Sequence, residues 1–170
     1  MKHYSSFRFM MLCLVLTWGV YEYPVLATSQ EIAIEKVEVR YLSRSPVVVL
    51  AVGDKAISIF VDPTVAGSIQ GALIGEKFPR PLSHDLMQSI LKSYDIKIDR
   101  VFITLRDGVF YGTLTLSQNG QQQMFDSRSS DAIALAVHFH SPILIERDLL
   151  DSAGKDLNDL GRETTKEVDI

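Results

Sequence analysis

A two-layer α+β fold follows from three observations on this chain. Apolar and polar residues alternate over several short runs, which is the period of half-buried strands. Two other runs, around residues 65–73 and 133–137, change to the helical period. The order strand, strand, strand, helix occurs twice. The resulting expectation is a duplicated β-β-β-α-α unit, with mixed sheets and helices packed on one face.

The elements can be justified in order. "IAIEKVEVRYL", residues 32–42, alternates as a strand, and "PVVVLAV", residues 46–52, is a second. Gly53-Asp54 turns the chain into a third strand at residues 55–61. In "DPTVAGSIQGALIG" Pro63 suits a first helical turn, Val65, Ile69, Ala72 and Leu73 share a face, and Gly75 marks the stop. Ser83 is a natural N-cap for the next helix, whose apolar stripe is Leu86, Met87, Ile90 and Leu91. Residues 96–105 and 108–116 read as strands. Asn119-Gly120 is a hairpin turn into "QQQMF", residues 121–125. "SSDAIALAVHF" is a helix, "SPILI" a strand and "RDLLDSA" a last helical piece. Periodicity is lost after Leu160, and residues 154–170 read as a charged tail. A gap-free offset of 64 residues lays Leu50 on Leu114, Asp62 on Asp126, Ile69 on Ile133 and Ala72 on Ala136.

The N-terminus reads as a secretory signal, residues 1–27. Lys2 and Arg8 precede the apolar "FMMLCLVLTWGV", and "VLA" puts small residues before Thr28. That run is shorter than the ~20 residues of a membrane span. The expected location is therefore periplasmic or extracellular, with a membrane anchor only if the signal stays uncleaved. The domain proper would be residues 28–153. Cys13, the only cysteine, leaves with the signal, which excludes disulfides, thiolate metal sites and a cysteine nucleophile. Loss of Lys2, Arg8 and Glu22 turns the formal charge of −4 into −5. No general basic face is implied, so any polyanion site must be local. The 46% apolar content is enough to build a core. No glycine-rich phosphate loop, G-x-S-x-G elbow or H-E-x-x-H helix is present.

Three polar clusters remain. In "RPLSHD" Pro81 and Ser83 can simply start a helix, with Asp85 against its dipole. Alternatively His84 is a general base or a metal ligand, Asp85 a ligand or its orienter, and Arg80 a phosphate binder. In "DSRSSD" Ser127 or Ser129 can cap a helix, with Asp126 locking Arg128 across the turn. The functional alternative has Arg128 grip a phosphate at the helix N-terminus while Asp126 and Asp131 hold a divalent cation or activate water. Under the repeat, Thr64 and Gly67 stand where the second unit has Arg128 and Asp131, so those two residues are specific to the second unit. In "HFH" His138 and His140 fall at a helix end and read as structural.

"PRPLSHDLM", "DGVFYGTLTL" and "FDSRSSDAIALAV" followed by "SPILI" resemble the bifunctional nuclease domain family over roughly residues 32–151. The resemblance implies a compact α+β domain, often oligomeric, with DNase and RNase activity. It departs at Ser129, where the family usually has Pro, and at Asp62 and Val65, where it usually has Gly and Glu. The expectation is a nuclease with His84, Asp85 and Asp131 catalytic, and Arg80, Arg128 and Ser130 binding phosphate. Asp126 and Asp131 would be ligands for a cation such as Mg²⁺. The partners expected are nucleic acid and further copies of the chain. The alternative is a non-catalytic binding or oligomerisation module of the same fold.

Overall fold

The computed structural model describes residues 30–42 and 45–163, with side chains to Leu160; the signal expected at residues 1–27 lies outside the described residues. Among the described residues nine strands form two sheets. The first has the order β1 (Glu31–Ala33), β8 (Ile143–Glu146), β5 (Lys97–Arg106), β6 (Val109–Gln118), β7 (Gln121–Arg128). It is antiparallel except for the β5–β8 pair. The second is antiparallel, with the order β2 (Lys36–Leu42), β3 (Ser45–Val52), β4 (Lys55–Phe60), β9 (Lys155–Asp156).

The single strand expected at residues 32–42 is two strands in different sheets. Between them the Ile34 N–H donates to the Ile143 carbonyl at 2.8 Å and the Glu35 N–H to the Ala51 carbonyl at 2.9 Å. Two successive residues thus bond to opposite sheets, and a continuous alternating pattern conceals the change of sheet.

The main helices are α1 (Pro63–Ile74), α2 (Ser83–Ser93) and α3 (Ser129–Phe139), with shorter α4 (Arg147–Ala153) and α5 (Leu157–Glu163). None of the described helices is long and apolar enough to cross a membrane. Helix α3 is the central one. Ala132 through His138 are all buried, as a helix that is apolar all round must be. It lies between α1 and the five-stranded sheet, in one core with Leu50, Ile57, Ile69, Val101 and Ile145. Its close approach depends on Gly112 in β6. A Cβ there would sit 2.5 Å from the Ala132 Cβ and 3.2 Å from the Arg128 carbonyl oxygen. Only a glycine on the strand and an alanine on the helix allow this spacing.

The α+β class holds, with mixed and antiparallel sheets. The duplication is not established. Asp62 is the N-cap of α1, whereas Arg128 holds that position in α3, so the 64-residue frame slips at the helix start. Strand β8 also intervenes between α3 and α4.

The tail needs correction as well. Leu160 on α5 is 2% exposed and packs with Val47, Val49, Ala51 and Ala56 on the far face of the four-stranded sheet. That sheet is therefore covered on both faces, which accounts for the uninterrupted apolar run in β3.

These contacts set distinct stability costs. We expect Leu160→Ala to cost about 2–5 kcal/mol and Gly112→Ala about 1–3 kcal/mol in urea unfolding. Leu86→Ala, half-exposed on α2, should stay within about 0.5 kcal/mol. A neutral Leu160→Ala would remove the segment beyond residue 154 from the core.

Candidate functional site

A cleft of about 630 Å³ opens beside the N-termini of α1, α2 and α3. Its walls are apolar, from Val65, Met87, Leu91, Leu114, Leu116, Phe125 and Leu135. Its polar rim is Asp62, Ser83, His84, Asp126, Ser127, Arg128 and Asp131. Strand β7 delivers the chain to Arg128, and α3 begins at the next residue. Gly112 and Ala132 fix where that junction sits on the sheet.

Four rim residues form a continuous polar chain. The Asp62 Oδ1 caps α1 by accepting the N–H groups of Thr64 and Val65 at 3.0 Å. Its Oδ2 faces Arg128 Nη1 at 3.9 Å. Arg128 grips Asp131 with two bonds, Nε to Oδ2 at 2.7 Å and Nη2 to Oδ1 at 2.9 Å. The buried His84 places Nε2 3.2 Å from Asp131 Oδ1. Arg128 is 68% exposed, so the pair adds little to stability; its effect is to orient both groups. Burial acts to raise the Asp131 pKa, but the hydrogen bonds and charge of Arg128, together with His84, outweigh it and hold the carboxyl below its usual range. The same hydrogen bonds and charge raise Arg128.

A second polar group lies behind the first. His138 Nε2 is 2.9 Å from the Ser68 Oγ of α1, and both side chains are buried. His138 Nδ1 lies 3.9 Å from Asp85 Oδ1. The Gln88 amide of α2 donates to the His138 carbonyl. The His84 and His138 rings are 6.4 Å apart and inclined by 22°. Burial depresses His138 below the usual imidazole range; Asp85 opposes this, and His84, Lys92 and His140 add to it.

Of the residues singled out in the sequence, His84, Asp126, Arg128 and Asp131 line the cleft. The partner of Arg128 is Asp131, not Asp126, because Asp126 remains on β7 opposite Thr113. Asp85 does not line the cleft. Its Oδ2 accepts the Leu82 N–H at 2.8 Å and its Oδ1 faces His138. Adjacent residues on a helix point about 100° apart, which separates it from His84. Arg80 is exposed and outside the cleft, and Ser130 is buried outside its lining. The helix starts also shift: Leu82 and Arg128 are the N-cap residues, and Ser83 and Ser129 are the first helical ones.

The donor set does not fit a divalent-cation site. Both Asp131 oxygens are engaged, and among the described residues no group of three or more His, Asp or Glu is arranged to hold a metal ion. Sequence reasoning missed Ser68 and Gln88, gave Asp62 no place at the site, and read His138 as a structural residue at a helix end without its partners. His138 was accessible in principle, since it lies two helical turns from Asp131 on the same face. Ser68 carries no such signal.

An α+β domain with a polar-rimmed cleft at the start of its central helix is the class defined so far. The model of the bifunctional nuclease domain matches residues 47–158, and the chain belongs to that family. Two curated relatives come from Mycobacterium tuberculosis, the uncharacterized proteins MT1877 of strain CDC 1551 and Rv1829 of strain H37Rv. Each is 29% identical over 127 residues, covering 73% of this chain and 76% of the relative.

The depressed pKa values of His138 and Asp131 shape the acid profile, alongside those of Glu38 and Asp151. A His138 that is harder to protonate when folded contributes fully above its unfolded pKa of about 6.5, and the contribution falls as pH drops towards the lower folded value. Asp131 contributes fully above about pH 4 and is lost as pH falls through its own folded value. We expect Tm to fall in two stages on acidification. His138→Gln should remove the upper stage, whereas Asp131→Asn should change the lower one only slightly, because its ion pair is exposed and Glu38 is also held low, read by thermal melts from pH 8 to pH 3.

Proposed function

We propose that the protein hydrolyses phosphodiester bonds of DNA or RNA in the cleft between α1, α2 and α3. Membership of the bifunctional nuclease domain family supports this reading. The observation that carries it is the run Arg128–Asp131–His84 along the rim of an apolar cleft. An exposed guanidinium with two N–H groups on Asp131 keeps further donors for a phosphate. With His84 Nε2–H donated to Asp131, Nδ1 carries the lone pair that takes a proton from water. The oxygen of that water attacks phosphorus, the P–O bond to the leaving group breaks, and the leaving oxygen recovers a proton. Asp131 stabilises the imidazolium formed meanwhile, and Arg128 offsets the charge on the phosphoryl oxygens. The apolar walls suit a nucleobase.

A second reading, a non-catalytic binding or oligomerisation module, is favoured by one observation. Arg128 is already paired with Asp131, and Asp62 and Asp126 add negative charge to the same rim.

Hydrolysis of single- and double-stranded DNA and RNA, with and without Mg²⁺, separates the two. We expect His84→Ala and Asp131→Ala each to lower kcat by about 10²–10⁴-fold. Arg128→Ala should also raise KM. Undiminished activity in Asp131→Ala removes this site, and a folded wild-type protein inactive on every substrate leaves the binding module.

The signal at residues 1–27 adds a proposal of export to the periplasm or medium. Cell fractionation with mass spectrometry should find a chain beginning near Thr28. A full-length cytoplasmic chain would contradict it.

A further inference from the structure

Helix α2 poses a problem of attachment. It supplies Ser83, His84, Met87 and Leu91 to the cleft. Yet its only fully buried side chain is His84, and Leu86, Met87 and Ile90 are 44–55% exposed. An amphipathic helix is ordinarily placed by burying its apolar stripe. Here most of the stripe faces outwards, so apolar packing alone leaves the helix loosely registered on α3.

Leu91 against the core, Lys92 over the Phe139 ring and His84 on Asp131 hold α2 at separate points, and the remaining ties are polar and converge on His138. Asp85 faces its Nδ1 at 3.9 Å, the Gln88 amide donates to its carbonyl, and the His84 ring stacks beside its ring. His138 is itself anchored from the opposite side by Ser68 of α1, at 2.9 Å. The Ser68 hydroxyl can donate to Nε2, which leaves the proton on Nδ1, the nitrogen facing Asp85. Serine, histidine and carboxylate follow one another here in the order of a hydrolytic triad, but Ser68 is buried and meets no substrate. The group therefore acts through position.

We infer that His138 is a positioning residue for the cleft: held by Ser68 and facing Asp85, it sets the place of α2 on α3 and thereby keeps His84 on Asp131. The inference rests on the hydrolytic reading above for its catalytic consequence, but its structural half can be measured without any substrate. It gives Asp85 and His138 a shared role, one step removed from the reacting atoms. A displacement of His84 by about 1 Å is enough to slow a reaction roughly 10²-fold.

The test uses Ser68→Ala, His138→Gln and His138→Ala in the full chain, with two readouts besides activity. Imidazole ¹⁵N signals report on His84, and amide hydrogen exchange reports on each helix. Ser68 lies outside the cleft lining, and its change to alanine is close to isosteric. We expect it to shift the His84 signals and to speed exchange across α2 by about tenfold or more, with β3 and α3 unchanged. His138→Gln, whose amide can still meet Ser68, should be affected less than His138→Ala. If the wild type is a nuclease, Ser68→Ala lowers kcat with KM retained. Unchanged His84 signals and α2 exchange in both Ser68→Ala and His138→Ala overturn the inference. So does an equal rise in exchange throughout α2, β3 and α3, which would make His138 an ordinary core residue. Inactivity of the wild type removes the hydrolytic reading instead, and the two spectroscopic results still decide whether His138 places α2.

Discussion

The structure depends on how closely α3 approaches β6. Gly112 and Ala132 bring helix and strand together at a distance no larger pair allows. Around that contact the rest is constrained. Helix α3 is buried on every side, so α1 and the sheet must both conform to it. Its first turn carries Asp131, and the residue before it is Arg128. The rim of the cleft is thus placed by a packing contact one turn away, made of residues with no chemistry of their own. Small residues at 132, 134 and 136 let a helix sit deep in the core while its polar N-terminus reaches the surface.

Much of this was legible in the sequence. Strand and helix periods gave most elements, and the polar clusters at residues 80–85 and 126–131 do meet, through His84 and Asp131. What was not legible has physical reasons. The division of β1 from β2 leaves the alternation intact, so no change of period reports it. Strand β9 and Leu160 are too short a signal to stand out in a charged segment, although Leu160 is as buried as the strands it covers. Asp126 seemed the natural partner of Arg128 because it is nearer in sequence. A strand places residues two apart on the same face, but the chain turns into α3 at Arg128, and the guanidinium swings to the first turn instead. Asp85 was read with His84 because they are adjacent, and adjacency on a helix separates side chains. The residues of the second polar group come from three helices, and only the fold brings them together.

The rim is an economy of charge in an acidic chain. Three carboxylates, Asp62, Asp126 and Asp131, lie around one guanidinium. Two of them already have backbone or side-chain partners, Asp62 as the cap of α1 and Asp131 as the acceptor of Arg128 and His84. Asp62 contributes both a helix cap and a negative group to the site. A bound anion must therefore compete with internal partners for Arg128, which favours ligands that also fill the apolar walls.

The two halves of the chain exchange their outermost strands. β1, from the N-terminal end, completes the sheet built by the C-terminal half, pairing Ile32 with Ile145. β9, from the C-terminal end, completes the sheet built by the N-terminal half, pairing Lys55 with Asp156. Neither sheet reaches its full width until nearly all of the chain is available. Such long loop closures are slow and are rewarded only late in folding. The consequence is kinetic: a ribosome-bound N-terminal half lacks its β9 edge, and this exchange of edge strands favours folding as one cooperative unit rather than half by half.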